Sequence, residues 1–199
     1  MINFIYLRGI VKNISYSHTI GDTTFKRAEM IVGRNDCKED LIIVKFKDLG
    51  IYLKEGQELE LMGSIRSYSQ AMDGKNRVEI YVFSYLDVVE VEYENSNIAI
   101  LEGRICKKDT LRRTPKGKHY IHFIVANNII TDDGQKLNSY IPCVSWGKNA
   151  KKVDKDLNVG DFIHIEGQLQ SREYKRKNEN DEIEIRVAHE LSTAEIEKI

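Results

Sequence analysis

Positively charged side chains are concentrated in two short segments of the C-terminal half. The first lies between Arg104 and Lys118, where Asp109 is the only acidic residue, and the second surrounds Glu173. Closely spaced cations can hold the phosphates of a polyanion, although a charge run can also be a solvated surface. Because both segments lie beside aromatic residues, we favour the interpretation that they bind a polyanion. Their cations are Arg104, Lys107, Lys108, Arg112, Arg113, Lys116, Lys118, Arg172, Lys175, Arg176 and Lys177.

Aromatic residues alternate with smaller ones in the segment Ser139–Gly147. Alternation of period two predicts a strand whose inner face carries Ile141, Cys143 and Ser145. Its outer face then carries Tyr140, Pro142, Val144 and Trp146, which is the only tryptophan of the chain.

Flat aromatic rings held outward on a rigid strand, with cations nearby, can stack nucleobases. Lys148, Lys151 and Lys152 follow Trp146 directly, and Tyr174 lies among the cations of a long polar hairpin, Ser171–Glu182. The alternative is that Trp146 and Tyr140 are buried against a partner subunit or against the other half of the chain.

The sequence contains an internal repeat, which indicates a duplicated unit. Gly9 matches Gly103, and Leu53–Gly63 matches Leu157–Gly167. Near each end, Val78–Val82 matches Ile183–Val187, whose Ile183, Ile185 and Val187 form an apolar face. The polar, acidic stretch after residue 90 predicts a linker. We therefore expect one domain over residues 1–90, a linker over 91–97 and a second domain over 98–199.

Each unit is predicted to be built of strands. Tyr120–Ala126 alternates clearly, Phe162–Leu169 continues through Gly167, where we expect a bulge or sharp bend, and Lys148–Asp156 is a short helix. Five strands with a helix between the third and fourth are typical of the OB-fold, which binds oligonucleotides or oligosaccharides. The fold prediction is all-β, with two tandem five-stranded OB-fold Greek-key barrels and a short helix in the second.

The second unit resembles the bacterial single-stranded DNA-binding proteins. The resemblance lies in Leu101–Ile105, Leu111–Asn128, Tyr140–Val153 and Val159–Tyr174, which include a T-P-x-G, a W-G-K and an E-G-x-L-x-x-R motif. It implies that Tyr140, Trp146 and Tyr174 stack bases and that Arg104, Arg113, Lys118, Lys148 and Arg172 contact phosphates. With the neighbouring cations, the predicted phosphate contacts are Arg104, Lys107, Arg112, Arg113, Lys116, Lys118, Lys148, Lys151, Lys152, Arg172, Lys175 and Arg176.

The first unit departs from this pattern. Its third strand, Leu41–Lys47, places Ile42, Val44 and Phe46 inside, so Lys47 takes the position of Trp146. Tyr68 and Tyr81 are its remaining aromatic candidates, and its charge is −3, from 12 Lys and Arg against 15 Asp and Glu over residues 1–94. We expect weaker DNA contact here, or a docking surface.

The C-terminus also departs from the family. Family members commonly end in a tail with an acidic tip that recruits replication enzymes. We expect no such tail after Ser192–Ile199, a segment that we expect to follow the last strand directly. Recruitment by that route is therefore not expected, although replication proteins remain candidate partners. The comparison that this suggests is with primosomal or phage and plasmid OB-fold adaptors, which act mainly through protein–protein contacts.

Other functions are disfavoured by the sequence. Its five histidines show no metal spacing, and it has no phosphate-binding loop or nucleophile elbow, so we expect no enzyme activity, metal or cofactor. The three cysteines, Cys37, Cys106 and Cys143, are expected to be buried thiols in a reducing compartment. With no signal peptide or apolar span, we expect a cytoplasmic, nucleoid-associated protein.

The resulting hypothesis is sequence-nonspecific binding and protection of single-stranded DNA in replication, recombination or repair, with RNA as a possible ligand. Members of the family commonly present four OB barrels, so a homodimer is expected. The apolar first strands, Phe4–Tyr6 and Ile98–Ile100, are expected to extend sheets between the subunits.

Overall fold

A computed structural model describes residues 1–34, 36–50, 53–72, 75–84, 94–130, 134, 136–177 and 181–199. The chain is all-β apart from one short helix within these residues. The elements are β1 (Asn3–Ile20), β2 (Thr23–Gly33), β3 (Glu39–Lys47), β4 (Glu58–Met72), β5 (Lys75–Ser84), β6 (Asn97–Lys108), β7 (Arg112–Arg113), β8 (His119–Ile130), β9 (Lys136–Trp146), α1 (Gly147–Asp156), β10 (Phe162–Lys177) and β11 (Ile183–Lys198).

The strands form two rings of five, which we call the first unit (β1–β5) and the second unit (β6–β11). In the first unit the pairing runs β1–β2–β3–β5–β4 and returns to β1, with β3 and β5 parallel. In the second it runs β6–β8–β9–β11–β10 and returns to β6, with β9 and β11 parallel. The prediction of two OB-type units, the second with a helix between its third and fourth main strands, is confirmed.

The inner faces predicted from alternation are buried. Ile42, Val44 and Phe46 are at most 2% exposed. Ile141, Cys143 and Ser145 are likewise buried in the second unit. The prediction of buried thiols is wrong for the other two cysteines. Cys37 is exposed because it lies between β2 and β3, and Cys106 is exposed at a register shift of β6. The outward position of Val144 does not make it accessible: it is 1% exposed because His122 on β8 and Ser192 on β11 flank it. The predicted outer face of β9 is therefore covered at its centre.

The repeated glycines mark the same places in both rings. A Cβ on Gly9 would overlap the carbonyl of Ile31, and a Cβ on Gly103 would overlap that of Ala126. Side chains are excluded at these positions because strands cross closely there. The bulge expected at Gly167 is confirmed by a register shift between Glu166 and Gly167.

The predicted match between Val78–Val82 and Ile183–Val187 is wrong. Gly63 pairs with Ser84 and Gly167 pairs with Thr193, so Ser84 and Thr193 occupy equivalent positions. Val82 consequently corresponds to Leu191 rather than to Val187. Similar strand composition produced the false match, since any alternating valine and isoleucine segment aligns with another.

The last strand is longer than expected. β11 continues to Lys198, so the segment after Ser192 belongs to the strand instead of following it. The apolar residues at its beginning face solvent: Ile183 is 66% exposed and Ile185 is 62% exposed. They lie on the projecting β10–β11 hairpin, beyond the ring, and the core residues of β11 are Leu191 and Ile196.

The two units are joined by their first strands. β1 pairs antiparallel with β6, with Phe4 opposite Ile100 and Tyr6 opposite Ile98. The expectation that these strands extend sheets between subunits is therefore wrong, because each already occupies the free edge of the other within one chain. Asn97 belongs to β6, and residues 91–93 of the predicted linker lie outside the described residues.

A buried polar cluster, the Asp40 cluster, also links the units. The Asp40 carboxylate has no exposed surface and accepts hydrogen bonds from Arg34 and from the backbone N–H and hydroxyl of Ser171 on β10. The Ser171 hydroxyl lies 3.0 Å from the Leu41 nitrogen, and the His189 Nε2 lies 2.7 Å from the Leu41 carbonyl oxygen. Burial lowers the pKa of His189, so its neutral ring donates this bond. The first unit therefore holds the base of the β10–β11 hairpin.

Candidate nucleic-acid interface

Trp146 lies in a group of aromatic and cationic side chains on the outer face of the second unit. We call Trp146, Tyr120 and Lys118 the Trp146 group. Trp146 is partly exposed and pairs across the strands with Tyr120, whose ring centroid is 5.5 Å away. The Lys118 ammonium lies 5.0 Å from the Trp146 ring, within cation–π range. Tyr120 was not predicted, although its place opposite Trp146 follows once the β8–β9 register is known.

A short hairpin carries the basic segment beside this group. Arg112 and Arg113 of β7 pair with Tyr120 and His119 of β8. The turn is closed by a hydrogen bond from the Gly117 N–H to the Thr114 carbonyl, and Gly117 adopts a φ of 80° that favours glycine. The T-P-x-G motif thus makes a tight turn that presents cations next to Trp146.

His119 is kept neutral in this setting. Desolvation lowers its pKa, and the charges of Arg113 and Lys151 lower it further. The Arg113 Nε donates a hydrogen bond of 2.8 Å to the His119 Nε2, which a neutral ring can accept. The contact joins Arg113 to β8, and the effect of the Lys151 charge on His119 shows that α1 contributes a cation to the same part of the surface.

A second group lies across the sheet, around Glu190 of β11. The Glu190 carboxylate lies 3.5 Å from the Nε2 of His122 and 3.7 Å from the Nε of Arg172. Burial opposes its ionisation, but these two neighbours hold its pKa below the ordinary value. Arg172 in turn lies 5.9 Å from the Tyr174 ring centroid. A series of contacts thus links Tyr174 on β10 to His122 through Arg172 and Glu190.

Tyr140 lies near the middle of β9, six residues before Trp146, and is 52% exposed. It is on the same outer face, but it does not belong to the Trp146 group. Its backbone N–H donates a 2.8 Å hydrogen bond to the hydroxyl of Ser67 on β4. Tyr140 therefore stands at the border with the first unit, so the predicted stacking residues form a path rather than a cluster.

The predicted phosphate contacts all present exposed side chains. Some of them also have structural partners. Arg104 donates a 3.0 Å hydrogen bond to the Gly160 carbonyl, and Lys152 donates one of 2.6 Å to the Ile196 carbonyl. Lys107 lies 3.9 Å from Asp109. Lys108, which belongs to the first basic segment, binds backbone carbonyls at the C-terminal end of α1, including that of Asp154 at 3.1 Å.

The first unit presents a different outer face. Lys47 pairs with Phe25 as Trp146 pairs with Tyr120, so a lysine does occupy the position of the tryptophan. Aromatic rings are nevertheless present nearby. Lys45 lies 4.3 Å from the Tyr81 ring, and Arg66 lies 3.9 Å from the Phe83 ring. Burial raises the pKa of Tyr81, which is consistent with its packed position.

Comparison with known proteins places the chain in a family. A family model described as the single-strand binding protein family matches residues 96–197, slightly more than half of the chain. The chain belongs to this family. The match spans the second unit from the start of β6, including both the Trp146 group and the Glu190 group.

Curated relatives agree with this assignment. Single-stranded DNA-binding protein A of Bacillus subtilis is 32% identical over 83 residues, which are 41% of this chain and 48% of that protein. The single-stranded DNA-binding protein of Bacillus cereus is 36% identical over 81 residues, or 40% of this chain and 48% of that protein. The chain thus spans about half the length of the curated relatives that it matches.

Solved structures extend the similarity to both units as regards the fold. The crystal structure of wild-type single-stranded DNA binding protein from Thermus aquaticus aligns with a TM-score of 0.72 at 17% identity. The alignment covers 100% of this chain and 93% of that one. A deletion mutant of the same protein aligns with a TM-score of 0.69. The tandem arrangement of the two units is therefore also present in a solved structure.

Among the described residues, no group of three or more histidine, cysteine or acidic side chains is arranged to hold a metal ion. The one helix in that part of the chain, α1, is not long and apolar enough to cross a membrane.

Proposed function

We propose that this protein binds single-stranded DNA without sequence preference and protects it during replication, recombination or repair, acting as a binding protein and not as an enzyme. The observation that carries the proposal is the Trp146 group: a partly exposed indole beside Tyr120, with Lys118 at 5.0 Å and the Arg112–Arg113 strand adjacent. Stacking surfaces combined with cations are what sequence-tolerant recognition of a single strand requires.

Binding would begin with electrostatic capture. The cations of the β7–β8 hairpin and of the first turn of α1 attract phosphates, which releases counterions from the strand. Bases then stack on Trp146, Tyr140 and Tyr174. Trp146 already contacts Tyr120 and Lys118, and Tyr174 already lies beside Arg172, so little ordering of these two side chains is needed on binding.

The charge part of this mechanism predicts a change in salt dependence. Arg112→Gln is expected to reduce the slope of log affinity against log salt concentration by about 0.7, the value for one lost phosphate contact on a single strand. The effect should be the same for oligomers of different sequence. Fluorescence titrations of oligo-dT at several salt concentrations measure the slope. Lys38→Gln, an exposed lysine paired with Asp36 in the first unit, is the matched control, and an equal change in both variants would contradict the mechanism.

The proposal includes the domain organisation and the location. Residues 1–90 and 98–199 are taken as the two OB-fold domains, with the linker between them, and the protein is taken to act in the cytoplasm on the nucleoid. Family membership and the tandem fold similarity support this assignment.

The proposed homodimer uses a surface other than the strand edges. The outer face of the central strands β4, β1 and β6 carries partly buried apolar side chains, Phe4, Met62, Ile98 and Ile100. Charged pairs border it, Arg8 with Glu60 at 4.0 Å and Glu102 with His164 at 3.4 Å. A flat apolar face with a charged border can pair with itself about a two-fold axis.

Dimerisation is tested by the mass in solution. Sedimentation equilibrium is expected to give about twice 23.0 kDa for the wild type and 23.0 kDa for Ile98→Glu. Ile130→Glu, at a residue that is 67% exposed on β8, should remain dimeric. A wild-type mass of 23.0 kDa, or a dimer unaffected by Ile98→Glu, would remove this face from the proposal.

A further inference from the structure

A cleft of about 540 Å³ lies where the outer faces of the two units meet. The second unit contributes Pro142, Tyr174 and Glu190, and the first contributes Tyr68 and Glu79. The Leu41 carbonyl bonded to His189 connects its two sides. Concave surfaces that combine apolar walls with a few convergent polar groups are where small ligands bind.

The aromatic walls of the cleft come from both units. Tyr68 is 53% exposed, and the Lys45 ammonium lies 6.0 Å from its ring centroid. Tyr174 is partly buried and has Arg172 at 5.9 Å. Each ring thus has a cation on one side and borders the same opening. This arrangement leaves aromatic surface available to a planar ligand.

The charged side chains of the cleft disfavour the binding of a phosphate group inside it. Arg27 lies 2.8 Å from Glu29 and 3.8 Å from Glu79, and Arg172 lies 3.7 Å from Glu190. Both guanidinium groups are therefore paired with carboxylates within the cleft. Arg172 is 54% exposed, so we expect its predicted phosphate contact on its solvent side, outside the cleft. A bare phosphate would gain little attraction and would meet three acidic side chains. Carboxylates can instead accept hydrogen bonds from the exocyclic amino groups of bases.

The cleft is continuous with the stacking path of the second unit. Pro142 lies two residues from Tyr140 on the outer face of β9. The Tyr140 N–H is bonded to the hydroxyl of Ser67, the residue before Tyr68. A strand whose bases stack on Trp146 and Tyr140 is thereby led to Tyr68 without leaving the protein surface.

We propose that the cleft between the units is a base-binding subsite, in which the bound single strand places bases against Tyr68 and Tyr174 while its phosphates remain outside. The inference rests on the proposed function, because it assigns a further part of the same ligand. It gives the first unit a defined role in binding despite Lys47 in the tryptophan position. Tyr68 acts by stacking, and the carboxylates keep phosphates out.

The test compares Tyr68→Ala with two further variants. Stacking contributes about 1–3 kcal/mol per base, so Tyr68→Ala is expected to weaken binding of oligo-dC by about five- to a hundredfold. Tyr68→Phe should retain most of the affinity, because the ring remains. Tyr16→Ala removes a tyrosine that is 66% exposed on β1, away from the cleft residues, and should bind as the wild type does.

Two further readings separate this subsite from the rest of the interface. The salt slope of Tyr68→Ala is expected to equal that of the wild type, since no phosphate contact is lost. Quenching of Trp146 at saturation should also be unchanged, because the second unit still stacks. Equal affinities for Tyr68→Ala and Tyr16→Ala, or a reduced slope in Tyr68→Ala, would overturn the subsite. Wild-type protein that does not bind the oligomer at all would instead contradict the proposed function.

Discussion

Asp40→Ala is expected to lower the free energy of unfolding by about 3 kcal/mol, the largest stability effect that we predict for one residue. Breaking a buried ion pair leaves its partner uncompensated, which costs about 3–5 kcal/mol, and we take the lower value because Arg34 is 18% exposed. The substitution also removes an acceptor from the N–H and hydroxyl of Ser171. Because the cluster joins the units, both should lose stability together.

Urea unfolding followed by circular dichroism measures this effect. The matched control is Asp36→Ala, which removes an exposed carboxylate four residues away that pairs with Lys38 at 3.1 Å. Exposed ion pairs contribute at most about 1 kcal/mol, so the control should unfold close to the wild-type midpoint. If the two variants unfold at the same urea concentration, the Asp40 cluster does not hold the units together.

Trp146→Ala is expected to weaken the affinity for single-stranded DNA by about five- to a hundredfold at fixed salt, since stacking contributes about 1–3 kcal/mol per base. The substitution removes the stacking surface and the ring that faces Lys118 and Tyr120. Filter binding or polarisation of a labelled oligo-dT measures the affinity without relying on tryptophan emission. Trp146→Phe, which keeps an aromatic ring, should lose much less. Unchanged affinity in the alanine variant would show that the indole does not touch the strand.

Much of the second unit's candidate interface could be placed on the outer face from the sequence, because strand alternation determines which face a side chain occupies. Trp146 and Tyr140 alternate with buried Ile141 and Cys143, so their outward direction follows from the sequence. The repeated glycines were equally informative, since only glycine fits where strands cross closely. The exposure of individual residues on the outer face was not predictable, because it depends on neighbouring strands. Val144 points outward but is covered by neighbours on two other strands.

Three features could not be predicted from the sequence, because each depends on contacts between residues that are distant along the chain. The Asp40–Ser171 bonds join positions 131 residues apart, and alternation carries no information about such partners. The β1–β6 pairing likewise joins apolar strands that look equally suited to an intermolecular edge. Tyr120 was missed for the same reason, because its proximity to Trp146 depends on the β8–β9 register.

The most direct test of the central claim uses the single tryptophan of the chain. Titration of the wild-type protein with oligo-dT is expected to quench the Trp146 emission strongly and saturably, because a base stacks on the indole. The quench should reverse as salt is raised, since phosphate contacts help to hold the strand. Emission that stays unchanged while the oligomer is shown to bind would contradict base stacking at Trp146. Emission that stays unchanged with no binding would contradict the assignment as a single-stranded DNA-binding protein.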